Sequence, residues 1–115
     1  MTHRIIYYYQ TFCGLENLLE LNSCPVTHIH IASIHFGLDQ YKPYIHLNDN
    51  PPDSPLFDNV WSETQLLAQR GVSIRLMVGG AGGAFIELFS NFDKYYPLLY
   101  DTIESRPWIS GIDLD

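Results

Sequence analysis

Basic residues are scarce in this chain. Six Lys and Arg stand against 13 Asp and Glu among 115 residues, a formal net charge of −7, and the pI is near 4.9. That balance excludes charge-driven binding to nucleic acid or to an anionic membrane surface. Long apolar runs are missing too, each being broken by His, Asn or Gly well short of the ~18 residues that a membrane span needs. The opening Met1-Thr2-His3-Arg4 leads straight into an aliphatic and aromatic stretch, without the layout of a signal peptide. Cysteine is limited to Cys13 and Cys24, which lack metal-ligand spacing, and no Asn-x-Ser/Thr site is present. The two read as free thiols, and neither a metal nor a cofactor is expected. The compartment stays open.

What is present is globular. Hydrophobic residues make up 46%, aromatics 14% and charged residues only 17%, enough apolar material for a core and too little charge for a disordered chain. Ile5-Ile6-Tyr7-Tyr8-Tyr9 is β-branched and aromatic and reads as a first strand, followed by a short helix carrying Leu15, Leu18, Leu19 and Leu21. Residues 26–34 alternate and form a second strand, with His28 and His30 on one face. Residues 36–53 hold Gly37, Pro43, Pro51 and Pro52 around a small apolar run, and are expected to be a long loop with a hairpin in it. His35 and His46 fall in that loop as surface residues. Ser54 offers an N-cap and Pro55 a first helical residue for a stripe of Phe57, Val60, Trp61, Thr64, Leu67 and Ala68, which stops at Arg70-Gly71. Residues 72–78 form a third strand that runs into Gly79-Gly80-Ala81-Gly82-Gly83. A helical turn over residues 84–89 and a helix holding Tyr95, Tyr96, Leu99, Thr102 and Ile103 follow, the start of the latter obscured by Pro97. Trp61, Phe92, Tyr95 and Tyr96, at helical spacing, are expected in the core. Arg106-Pro107 ends the helix and residues 108–115 make a fourth strand.

The order βαβαβαβ favours parallel strands with crossover helices. Four strands and three helices make about half of a (β/α)₈ barrel, or the start of a doubly wound sheet. The last strand stops without turn, cap or polar tail, so the sequence is expected to be a truncated single unit, 1–115. Asp113 and Asp115 lie two apart at the C-terminal end of that strand, where barrels build their sites. Two carboxylates on one face repel, and sharing a proton between them suits acid-base or charge-stabilising work; as a bare Asp-x-Asp they could equally open a solvated loop or cap a helix.

Gly111-Ile112-Asp113-Leu114-Asp115 resembles the Asp-Gly-x-Asp-x-Asp-x-Glu strand of family 18 glycoside hydrolases, the chitinases and their relatives. Leu76-Met77-Val78-Gly79-Gly80 is similar to their Ser-x-Gly-Gly strand, Val26-Thr27-His28-Ile29-His30 to their Thr-His-Ile segment, and residues 5–9 to their first strand with its inward tyrosine. The four segments occur in the family's order over nearly the whole chain. The resemblance implies the N-terminal half of a (β/α)₈ TIM barrel and retaining hydrolysis of β-1,4-linked N-acetylglucosamine in chitin or related glycans. In that chemistry the substrate's own 2-acetamido oxygen attacks the anomeric carbon while a Glu protonates the leaving oxygen, an exception to the two-carboxylate scheme. Asp115 would hold the acetamido N–H and Asp113 would share a proton with it. Tyr8 would lie near the −1 sugar, and Gly79 and Gly80 would form a bare floor under it.

The departures are specific. Ser110 stands in place of the first Asp of the strand motif, which weakens proton sharing along that strand. Met77 stands at the Ser of Ser-x-Gly-Gly, and Ala81 where many chitinases carry Trp. The acid would fall two residues beyond Asp115, outside this sequence, so the 115 residues alone are expected to be inactive. A non-catalytic chitin-binding, lectin-like barrel shares every feature up to Asp115; a Glu two residues on separates the hydrolase from it. A metal-dependent hydrolase using His28 and His30 is the third reading, and it lacks matching Lys, His and Asp strands. The glycine cluster matches no phosphate-binding loop. Both edges of a half-barrel sheet would be open, so self-association through them is expected.

Overall fold

The computed structural model describes residues 4–21, 25–79 and 84–114. Four parallel strands, β1 (Ile6–Tyr9), β2 (His28–Asp39), β4 (Ser73–Val78) and β5 (Ile109–Leu114), lie in the order β1-β2-β4-β5, and β3 (Lys42–Leu47) pairs antiparallel with β2. Helices α1 (Glu16–Leu19), α2 (Asp58–Gln69), α3 (Ala84–Ser90) and α4 (Phe92–Glu104) fill the connections. The sheet with its parallel strands and crossover helices is the barrel-type architecture expected, with one more strand and one more helix than the four and three anticipated.

The extra strand comes from the region read as a long loop. β2 does not stop at Ile34 but runs to Asp39, turns through Gln40 and Tyr41, and returns as β3 with Asp39 opposite Lys42. Both turn residues have left-handed φ, +49° and +69°, the geometry of the two-residue turn whose twist suits a hairpin. That turn normally carries Asn or Gly, and Gln-Tyr gave no signal of it. His35 and His46, expected on a surface loop, sit directly opposite one another in this ladder and are half-buried. The ring of Tyr44 lies across Gly37, where any Cβ would collide with it.

The core lies between the sheet and the helices. Ile29, Ile31, Ile74, Leu76 and Val78 are fully buried on one face of the sheet, together with Tyr9. Each apolar side chain of this size removed from water contributes about 1.5–3 kcal/mol. Against them α2 buries Val60, Trp61, Thr64 and Leu67, a spacing that keeps one stripe inward. Its entry is as expected: Ser54 Oγ accepts the Leu56 N–H at 3.3 Å over a single 3₁₀ turn, Pro55–Phe57. Its exit is a paired cap in which Gly71 N–H donates to Ala68 O at 3.0 Å and Val72 N–H to Leu67 O at 3.1 Å. Only a left-handed residue closes that motif, and Gly71 has φ +93°.

Helix α4 tolerates Pro97 beyond its first turn and buries Tyr95, Leu99 and Thr102. Of the four aromatics assigned to the core, Tyr95 and Trp61 are there, at 1% and 9% exposure. Phe92 and Tyr96 are not: both are 42% exposed, and they stack on each other at 4.7 Å between ring centres. On the same surface Phe89 of α3 lies nearly parallel to Phe92, 6.2 Å between ring centres.

Candidate functional site

Directly paired residues of a sheet share a face, so the register assigns the inner face of the sheet. Ile6 pairs with His28 and Tyr8 with His30; His30 pairs with Arg75; Arg75 pairs with Gly111 and Met77 with Asp113. These residues form the face opposite the helix-covered core, and it is the polar face of the sheet. Tyr7 and Tyr9 point the other way, Tyr9 being buried with its hydroxyl accepting the Gly14 N–H at 2.9 Å.

Three side chains converge on this face. His30 Nδ1 lies 3.1 Å from Asp113 Oδ2, reaching across β4 to β5. The ring of Tyr8 meets that of His30 edge-on, 5.3 Å between centres and 82° between planes. Tyr8 itself is 58% exposed, its hydroxyl free of any protein partner among the described residues. Gly79 follows β4 directly, is buried, and has φ +136°, a conformation that favours glycine. Asp115 and Gly80, the other two residues singled out, lie outside the described residues.

The departures from the family pattern also find their places. Ser110 sits at a register shift in β5 and its hydroxyl donates to Ile74 O at 3.2 Å. Met77 is buried directly opposite Asp113. Neither gives Asp113 a hydrogen bond.

His28 and His30 do share a face, with ring centres 6.5 Å apart and planes at 84°. Each commits one nitrogen to a protein oxygen, His28 Nδ1 to Thr27 Oγ1 at 2.7 Å and His30 Nδ1 to Asp113. No group of three or more His, Cys, Asp or Glu converges among the described residues; there the two histidines are engaged in hydrogen bonds. Burial, then the charges of Arg75, Arg4 and His30, hold the His28 imidazole below its usual pKa, favouring the neutral ring. The His30 to Asp113 contact is the feature that sequence reasoning missed. Alternation put the histidines on the right face, but which residue of β5 they meet depends on strand order and stagger.

A parallel sheet covered by helices on one face and carrying polar side chains on the other is the arrangement of the first strands of a (β/α)₈-type barrel. Solved structures agree over nearly the entire chain. The chitinase ChiC from Aspergillus fumigatus matches with a TM-score of 0.84 and 34% identity, covering 99% of this chain and 44% of that one. A fungal endo-beta-N-acetylglucosaminidase from glycosyl hydrolase family 18 matches with a TM-score of 0.80 and 32% identity, covering 100% of this chain and 44% of that one. The chain thus spans less than half the length of either. No protein-family model matches it, and no curated protein does. The chain belongs with the family 18 glycoside hydrolases and corresponds to the strands that open their barrel.

Proposed function

We propose that the barrel to which these strands belong hydrolyses β-1,4 N-acetylglucosamine linkages, in chitin or a related glycan, by substrate-assisted retaining catalysis. The observation that carries the reading is Asp113, held by His30 on the inner face at the C-terminal end of β5, beside the exposed Tyr8. Catalytic groups of such barrels come from the C-terminal ends of the strands. The developing positive charge at the anomeric carbon is met by the substrate's acetamido oxygen. Asp115 accepts the acetamido N–H and thereby favours ring closure; Asp113 shares a proton with it, so that negative charge is available as the oxazolinium-like species forms. Tyr8 packs against the −1 sugar, and Gly79 and Gly80 let the glycan lie close to the backbone.

The leaving oxygen needs a proton from a Glu two residues past Asp115. The 115 residues do not include one, and alone they give no turnover. The test is a chimera in which this chain replaces the matched 44% of the Aspergillus chitinase. Cleavage of a chitotriose analogue by the chimera is expected, with loss of at least a hundredfold, roughly 3 kcal/mol of barrier, on Asp115→Asn. A folded chimera that binds chitin oligomers but never cleaves them would assign these strands to a glycan-binding barrel. One that neither binds nor cleaves them would sink the reading.

A further inference from the structure

We propose that His30 is the positioning residue of Asp113, doing from β2 what neither Ser110 on the aspartate's own strand nor Met77 on the neighbouring one does. For its functional consequence this rests on the glycosidase reading above; the geometry stands by itself.

Asp113 has one side-chain hydrogen-bond partner among the described residues, His30 Nδ1 at 3.1 Å. A thioether faces it across the β4 ladder, and the Ser110 hydroxyl is spent on Ile74 O. A carboxylate only accepts, so the proton of this bond sits on Nδ1. In the neutral ring that is the less common tautomer. His30 is only 4% exposed, and its Nε2 is buried without a hydrogen-bond partner among the described residues.

The ring cannot swing away. Tyr8 from β1 abuts it edge-on at 5.3 Å and His28 does so at 6.5 Å, while Arg75 occupies the paired position on β4. A ring clamped between strands β1 and β4 gives Asp113 a fixed donor, and with it one rotamer, although a third of its side chain is open to solvent. An exposed Asp without that donor would sample several rotamers. Proton sharing with Asp115 requires the carboxyl to stay in place, which is the reason a donor matters here.

The test uses the 115-residue chain labelled with ¹⁵N and ¹³C. Long-range histidine spectra are expected to show the His30 imidazole, assigned by its loss in His30→Asn, protonated on Nδ1, and to show it converted to the common Nε2–H form in Asp113→Ala. Couplings across χ1 of Asp113 are expected to report one rotamer in the parent chain, rotamer averaging in His30→Ala, and one rotamer again in His30→Asn, whose amide nitrogen falls near the place of Nδ1. An Nε2–H tautomer at His30 in the parent, or an Asp113 that keeps its rotamer in His30→Ala, overturns the assignment. If His30→Ala fails to fold, the tautomer measured on the parent and on Asp113→Ala decides it. None of these readouts needs a glycan, so an inactive chimera with a clamped Asp113 refutes the glycosidase reading and leaves the positioning role standing.

Discussion

Arg106 stands over the indole of Trp61, its guanidinium carbon 4.3 Å from the ring centre. The same guanidinium donates to Thr102 O at 3.0 Å, Ser105 Oγ at 2.9 Å, Pro52 O at 3.2 Å and Asp53 at 2.7 Å, and Trp61 Nε1–H donates to that Pro52 carbonyl at 2.9 Å. One buried cation thus ties the end of α4, the start of α2 and the segment after β3. Arg106→Ala is expected to cost about 2–4 kcal/mol, because packing, a cation–π contact and several charge-assisted bonds go together. Asp53 is 91% exposed, and Asp53→Asn is expected to cost under about 1 kcal/mol. Urea unfolding of the two variants measures the ratio; equal losses would mean that the ion pair, and not the burial, is what counts.

Tyr9 sets an alkaline limit. Burial, the largest cause, pushes its phenol up from 10.0 to about 12; the Gly14 N–H opposes this, while Glu63, Cys13 and Tyr7 add to it. The unfolded chain releases this proton above pH 10 and the folded chain keeps it up to about 12. Stability from this group is therefore complete below pH 10 and declines as pH climbs toward 12. Tyr9→Phe should lose about 1 kcal/mol at pH 8 by leaving the Gly14 N–H unpaired, and show a flatter decline above pH 10. Unfolding midpoints of both proteins from pH 8 to 11.5 decide it; parallel curves would contradict the argument.

How much of this was legible in advance varies with the range of the interaction. The α2 stripe, its Ser54-Pro55 entry and its Gly71 exit are local chemistry, and the sequence carries them in consecutive residues. The parallel strands followed from the spacing of the βα units, and the family pattern supplied which strand end matters. A hairpin was expected after the second strand, but the place of its turn was hidden because Gln40 and Tyr41 adopt left-handed backbone without the usual Asn or Gly. The partner of Asp113 was hidden because His30 is 83 residues away, brought close only by strand order and stagger. The exposure of Phe92 and Tyr96 was missed because an apolar helical stripe looks the same whether or not another element covers it.

Gly71 separates backbone strain from crowding. A Cβ added there meets nothing within 4 Å, and the only obstacle is φ +93°. Gly71→Ala is expected to destabilise by about 1 kcal/mol, and Gly71→Asn by less, since Asn tolerates the left-handed region better. At Gly37 the reverse holds: its φ is unremarkable and the obstacle is the Tyr44 ring. There Gly37→Ala should release Tyr44 from His46, now 4.2 Å from it between ring centres, a change visible in their ring-proton shifts. A stability loss at Gly37 without any shift at Tyr44 or His46 would refute the second half.

Association of this chain with itself is predicted from what its outer strands and α4 leave in water. β1 exposes Ile6, Tyr7 and Tyr8, β5 exposes Ile112 and Leu114, and each is an edge of the described sheet. On α3 and α4, Phe89 and Phe92 lie nearly parallel at 6.2 Å, Tyr96 stacks on Phe92 at 4.7 Å, and Tyr100 lies beyond it with its plane tilted by 48°. Rings stacked face to face offer edges rather than faces, which suits packing against another apolar surface better than stacking on a sugar. Unpaired strand edges beside such a patch template pairing with a second copy. Sedimentation velocity of the 115-residue chain should therefore show mass rising with concentration. Ile112→Lys with Leu114→Lys should reverse it, because charge along an edge opposes a second strand. A monomer at every concentration in the parent chain would show that these edges do not pair in solution.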